Sequence, residues 1–183
     1  MRNVYIILTY TGTILSRVIR LYTHNEYAHV SIALDEDLKQ MYSFGRINPY
    51  IAFIGGFVHE SPKWGTFKRF KDTKALIYKL EVTDEQYDII SGKIQKMGEE
   101  KSIYSFNVIG LFAAGFHKKV SKQNAFYCAE FIKYLLDNAK IENNLPYPVK
   151  PQDFNNYLKE EIKAELIYNG KLREYLSKPA ILN

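Results

Sequence analysis

Residues 28–34 read Ala28-His29-Val30-Ser31-Ile32-Ala33-Leu34. The even positions are all apolar and the odd ones hold His29, Ser31 and Ala33, the alternation of a strand with one face in an apolar core. His29 therefore points away from the main apolar face. Asp35 to Asp37 carries turn chemistry and Lys39 to Phe44 (KQMYSF) returns as a second strand, so an antiparallel hairpin is predicted. If Leu34 pairs with Leu38, Ser43 lies opposite His29. A one-residue slip puts Phe44 there instead, and the residues leave the register open.

Upstream, Asn3 to Thr9 (NVYIILT) is apolar and β-branched and reads as a buried strand, ended by the turn residues Tyr10 to Thr13. Apolar residues at helical spacing predict a helix over Ile14 to Tyr22. Downstream, Gly45 to Lys74 holds Pro49, Gly55, Gly56, Pro62 and Gly65 and reads as a long loop or broken strand, a candidate substrate wall. Ala75 to Val82 is a further strand. Thr83 and Gln86 form a capping box that opens a helix to about Glu100. Asn107 to Phe116 is predicted as a buried helix, Phe126 to Ala139 (FYCAEFIKYLLDNA) as an amphipathic one, and Pro151 to Lys159 as a short one. Asn169-Gly170 within Leu166 to Tyr175 predicts a hairpin turn.

The chain has 183 residues, long enough to bury a core, and no repeat or linker divides it, so residues 1–183 are expected to form a single domain. A net charge of +5 favours anionic partners without requiring one. One cysteine excludes a disulfide scaffold and suits a reducing compartment. Neither a secretory signal pattern nor a transmembrane segment is apparent, and the expected location is cytoplasmic. His24, His59 and His117 lack metal-ligand spacing with one another, and neither a metal nor another cofactor is predicted.

The single thiol, Cys128, falls in the first turn of a predicted amphipathic helix. There the positive end of the helix dipole favours a thiolate, and a neighbouring imidazolium would favour it further, which makes Cys128 a candidate nucleophile. Helical spacing also places Cys128 near Ile132, Leu135 and Ala139, where an inert core thiol would fit.

The order of the motifs separates these readings. A strand ending in YTGT, a helix, YAHVSIAL, the return strand MYSF and later FYCAEF opening a helix together resemble the permuted NlpC-type papain-like amidases, the YaeF/YiiX-like group. The resemblance runs from about Asn3 to Asp153. His29 before its V-x-I strand matches that group's His-Val-Gly-Ile pattern, and Cys128-Ala129-Glu130 its Cys-Ser-Glu pattern, with Ser31 and Ala129 as departures. It implies an α+β, permuted papain-like fold with a small antiparallel sheet packed against helices. It further implies Cys128 as nucleophile, His29 as base and then acid, and a polar residue on the following strand that holds the imidazole. That place falls to Ser43, which offers no negative charge. Glu60 is the alternative orienter, and Tyr10, at the end of the first strand, a candidate pocket residue. The implied partner is a small molecule or peptide with an amide or ester bond, cleaved or passed to another acceptor.

A different reading comes from Lys63 to Lys74 (KWGTFKRFKDTK), where cations interleave with Trp64, Phe67 and Phe70. Such a loop could bind a single-stranded nucleic acid or another anion without using Cys128 or His29. No nucleic-acid motif accompanies it. A papain-like scaffold that has lost activity is the third reading.

Overall fold

The computed structural model describes residues 1–13, 16–17, 26–48, 54–116, 118, 120 and 122–176. Most of the helix predicted over Ile14 to Tyr22 lies outside them. In chain order the elements are β1 (Arg2–Tyr10), β2 (His29–Ala33), β3 (Met41–Arg46), β4 (Gly55–Glu60), α1 (Gly65–Arg69), β5 (Lys74–Val82) and α2 (Asp84–Glu99). There follow β6 (Ser105–Phe106), α3 (Val108–Gly115), β7 (Ala125–Phe126), α4 (Cys128–Asn138), α5 (Pro151–Glu160), β8 (Ala164–Lys171) and α6 (Leu172–Tyr175). The architecture is α+β. Six strands form one antiparallel sheet in the order β4-β3-β2-β1-β5-β8, and β6 and β7 pair separately in parallel.

β1 is buried without interruption from Val4 to Thr9, because both of its faces are covered. On one side Val4, Ile6, Leu8, Val30, Ile32 and Phe44 meet apolar residues of α2, α4 and α5 in the larger core. On the other side Tyr5, Ile7, Ala33, Met41 and Ile77 form a smaller cluster with Phe67 of α1 and Leu172 of α6. Full burial of one leucine- or isoleucine-sized side chain stabilises by about 1.5–3 kcal/mol, so the larger core dominates the fold. The capping box of α2 is present: Gln86 N–H donates to Thr83 Oγ1 (3.1 Å) and Thr83 N–H to Gln86 Oε1 (2.9 Å).

The structure settles the hairpin register and corrects two sequence expectations. In the β2–β3 hairpin, Ala33 pairs with Met41, and Leu34 N–H donates to Gln40 O, so Leu34 does not pair with Leu38. Leu38 instead turns into the smaller core at a φ of 54°, and the Asp35 carboxylate accepts from the N–H groups of Lys39 and Gln40. Continuing this register puts Gly45, not Ser43 or Phe44, in line with His29. The stretch from Gly45 to Lys74 is also more ordered than expected, since it holds β4 and α1. Finally, Asn169 and Gly170 make no turn; they lie within β8, paired with Leu76 and Ala75. Gly170 is needed for close approach: a Cβ there would stand 2.6 Å from Tyr168 Oη, which donates to Lys171 O.

Candidate active site

His29 is the first residue of β2, opposite Thr9 of β1, on the face away from the larger core. Cys128 is the first residue of α4 and belongs to the larger core. The two meet where β2 begins. The parallel β6–β7 ladder fixes this approach, because β7 runs directly into Tyr127, the extended N-cap of α4. Tyr127 makes no side-chain cap bond, and Cys128 takes the first position of α4, where the positive end of the helix dipole favours an anionic sulfur or oxyanion.

The imidazole is held by a carboxylate. Its Nε2 lies 3.0 Å from Glu60 Oε1 and 3.3 Å from Oε2, and Cys128 lines the same cavity as the ring. With Nε2 committed to Glu60, Nδ1 is the nitrogen left for the sulfur. Ser31 Oγ donates to Glu60 Oε2 at 2.5 Å and fixes the carboxylate in turn. Burial works against the imidazolium, but the Glu60 charge and the neighbouring Cys128 more than offset it and raise the His29 pKa to about 10. The side chains of His29 and Glu60 are only 22% and 12% exposed, so this pair escapes most solvent screening.

The register explains how Glu60 reaches a histidine two strands away. Glu60 stands beside Met41 of β3 and leans along the sheet, over a face where β3 carries only small side chains at Ser43 and Gly45. A Cβ on Gly45 would already sit 3.4 Å from both Glu60 Oε1 and His29 Cε1, and anything longer would displace the pair. One cavity is lined by Cys128, His29 and Glu60, together with Thr11, Thr13 and Arg46.

The proposed site residues are thus partly brought together. Cys128, His29 and Glu60 converge, but Ser43 does not join them: its hydroxyl donates to the carbonyls of Val30 (3.2 Å) and Phe44 (3.3 Å). Tyr10 packs against the larger core and is not among the residues lining the cavity. Ser31 was missed as a contributor, although an alternating strand already placed it on the same face as His29. Arg46 was hidden by the reading of its surroundings as loop.

The basic aromatic stretch does not present a row of stacking rings. Phe67 is buried in the smaller core, with its ring 6.5 Å from that of His29. Trp64 stands edge-on to His59, whose Nε2–H donates to Lys39 O at 2.7 Å. His24 and His117 lie outside the described residues, and among the described residues no cluster of three metal-ligating side chains occurs. No described helix is long and apolar enough to cross a membrane. No protein-family model matches the chain, and no significant similarity to a curated protein or a solved structure was found.

Proposed function

We propose that the protein is a thiol-dependent hydrolase of the permuted papain-like type, which cleaves an amide or ester through an acyl-enzyme on Cys128. The observation that carries this reading is one imidazole held by a carboxylate through Nε2 and lining a single cavity with a thiol at the first position of a helix. Cys128 Sγ, as thiolate, attacks the carbonyl carbon, and the C=O electrons move onto oxygen, towards the N–H groups that open α4. As the oxyanion collapses, the C–N or C–O bond breaks and the leaving group takes a proton from His29. Water then attacks the thioester while giving a proton to His29. The acid departs, and the sulfur returns to a thiolate beside the imidazolium. Glu60 holds the ring in position throughout and stabilises its charged form.

The test is the rate of Cys128 alkylation by iodoacetamide, followed by intact mass, in the native protein and in His29→Ala. Labelling at pH 6 is expected to be rapid and to fall by about a hundredfold in the variant, the gap between an activated and an ordinary thiol. Slow labelling that is indifferent to His29 would leave Cys128 as a packing residue.

A further inference from the structure

We propose that the cavity beside Cys128 accepts a substrate carrying a carboxylate near its scissile acyl group, and that Arg46 is the residue that binds it. This rests on the acyl chemistry proposed for Cys128. Arg46 is the last residue of β3, directly after the Gly45 that makes room for His29 and Glu60, and its side chain lines the same cavity as Cys128. It is half-buried, yet among the described residues no carboxylate forms an ion pair with it. Of its five N–H donors one reaches a hydrogen-bond acceptor among the described residues, Thr13 Oγ1 at 3.5 Å, the far limit of a hydrogen bond. That oxygen already accepts from Ser16 N–H (3.2 Å) and Thr11 Oγ1 (3.3 Å). Glu60, held by His29 and Ser31, forms no ion pair with Arg46.

The surroundings select for a singly charged oxyanion. Phe70 lies 5.8 Å from the Arg46 guanidinium carbon and 5.3 Å from that of Arg69, so two cations flank one ring close to the cavity wall. Burial, helped by Arg69 and opposed by Glu60, holds the Arg46 pKa below its ordinary value, so an incoming anion would relieve an unmatched charge. The hydroxyls of Thr11, Thr13 and Ser16 add neutral polar groups to the same wall. A planar carboxylate fits one guanidinium fork. A phosphate dianion would bring a second negative charge towards that of Glu60.

Iodoacetate and iodoacetamide alkylate the same sulfur and differ by a carboxylate in place of a carboxamide. The ratio of their rates at Cys128 is expected to fall by about tenfold in Arg46→Gln, the value of one charge-assisted hydrogen bond, and by less in Arg46→Lys. An unchanged ratio in an Arg46→Gln protein with a native circular dichroism spectrum would overturn the proposal. The native protein supplies a test that needs no variant: propionate should protect Cys128 from iodoacetamide, and propionamide at the same concentration should not. Equal protection by the two overturns the proposal, and stronger protection by inorganic phosphate overturns the choice of a carboxylate. Slow, His29-independent labelling defeats the acyl chemistry alone, since the rate ratio still reports on the anion site.

Discussion

The two faces of β2 and β3 make different demands on the same short strands. Towards α4 they present Val30, Ile32 and Phe44, each with no exposed surface, and Phe44 packs against the rings of Phe57, Phe126 and Phe131. Towards α1, beyond the Ala33 and Met41 of the smaller core, they present His29, Ser31, Ser43 and Gly45, over which Glu60 lies. One face supplies burial and therefore stability. The other supplies a row of small or polar groups, which leaves space for a carboxylate to cross the sheet. The apolar face serves the polar one indirectly: because a slip of one residue would turn every side chain over, burying Val30 and Ile32 commits His29 to the opposite side.

If this division holds, substitutions on the two faces should have separable effects. The largest is expected from Phe44→Ala, which should lower the unfolding free energy by about 3–5 kcal/mol in urea titrations, the usual cost of emptying a phenylalanine site in a core. A loss below about 1 kcal/mol would mean that the larger core does not dominate. Next comes Glu60→Gln, expected to slow Cys128 alkylation by about tenfold, as loss of one charge-assisted bond predicts. It should also move the alkaline limb of the alkylation profile, set by deprotonation of His29 near pH 10, towards lower pH. A profile identical to that of the native protein would remove Glu60 from the site.

The same pair makes stability depend on pH. His29 has a folded pKa of about 10, above the ordinary histidine value of about 6.5 in an unfolded chain. Between these values the folded state binds more protons. Its contribution is therefore complete below about pH 6.5 and disappears as the pH rises through 10. The difference in urea midpoint between native protein and Glu60→Gln should shrink over that window, and a constant difference would show that Glu60 does not act through the charge of His29. The smallest effect is expected from Thr83→Ala, which removes the α2 cap far from the cavity and should cost about 1 kcal/mol. Any change in the iodoacetate to iodoacetamide ratio in that variant would link stability and site where the two faces keep them apart.

Much of the scaffold could be read from local pattern. The alternation in β2, the apolar run of β1 and the Thr83 capping box are signals carried within a few residues, and each element lies close to its expected position. The errors arose where one residue type answers to several environments. Leu38 looked like a strand residue because it is apolar, but it is a buried turn residue. Asn169-Gly170 resembled a turn, whereas Gly170 accommodates the side chain of Tyr168 within a strand. In the site, helical and strand periodicity singled out Cys128 and His29, while Ser43 was put forward because the resemblance calls for a polar residue on the strand after the histidine; its hydroxyl is instead taken up by the Val30 and Phe44 carbonyls.

What the sequence determined by itself was therefore several of the longer elements, β1, β2, β5, α2 and α4, the face on which His29 lies, and the position of the lone thiol in the first turn of its helix. These follow from periodicity and capping, which act between near neighbours. Only the tertiary structure decided that Glu60, 31 residues from His29, is its partner, that Ser31 steadies that carboxylate, and that Arg46 opens onto the same cavity. Those contacts depend on strand register and on how far a side chain reaches across neighbouring strands, and both are settled by the packing of the whole sheet.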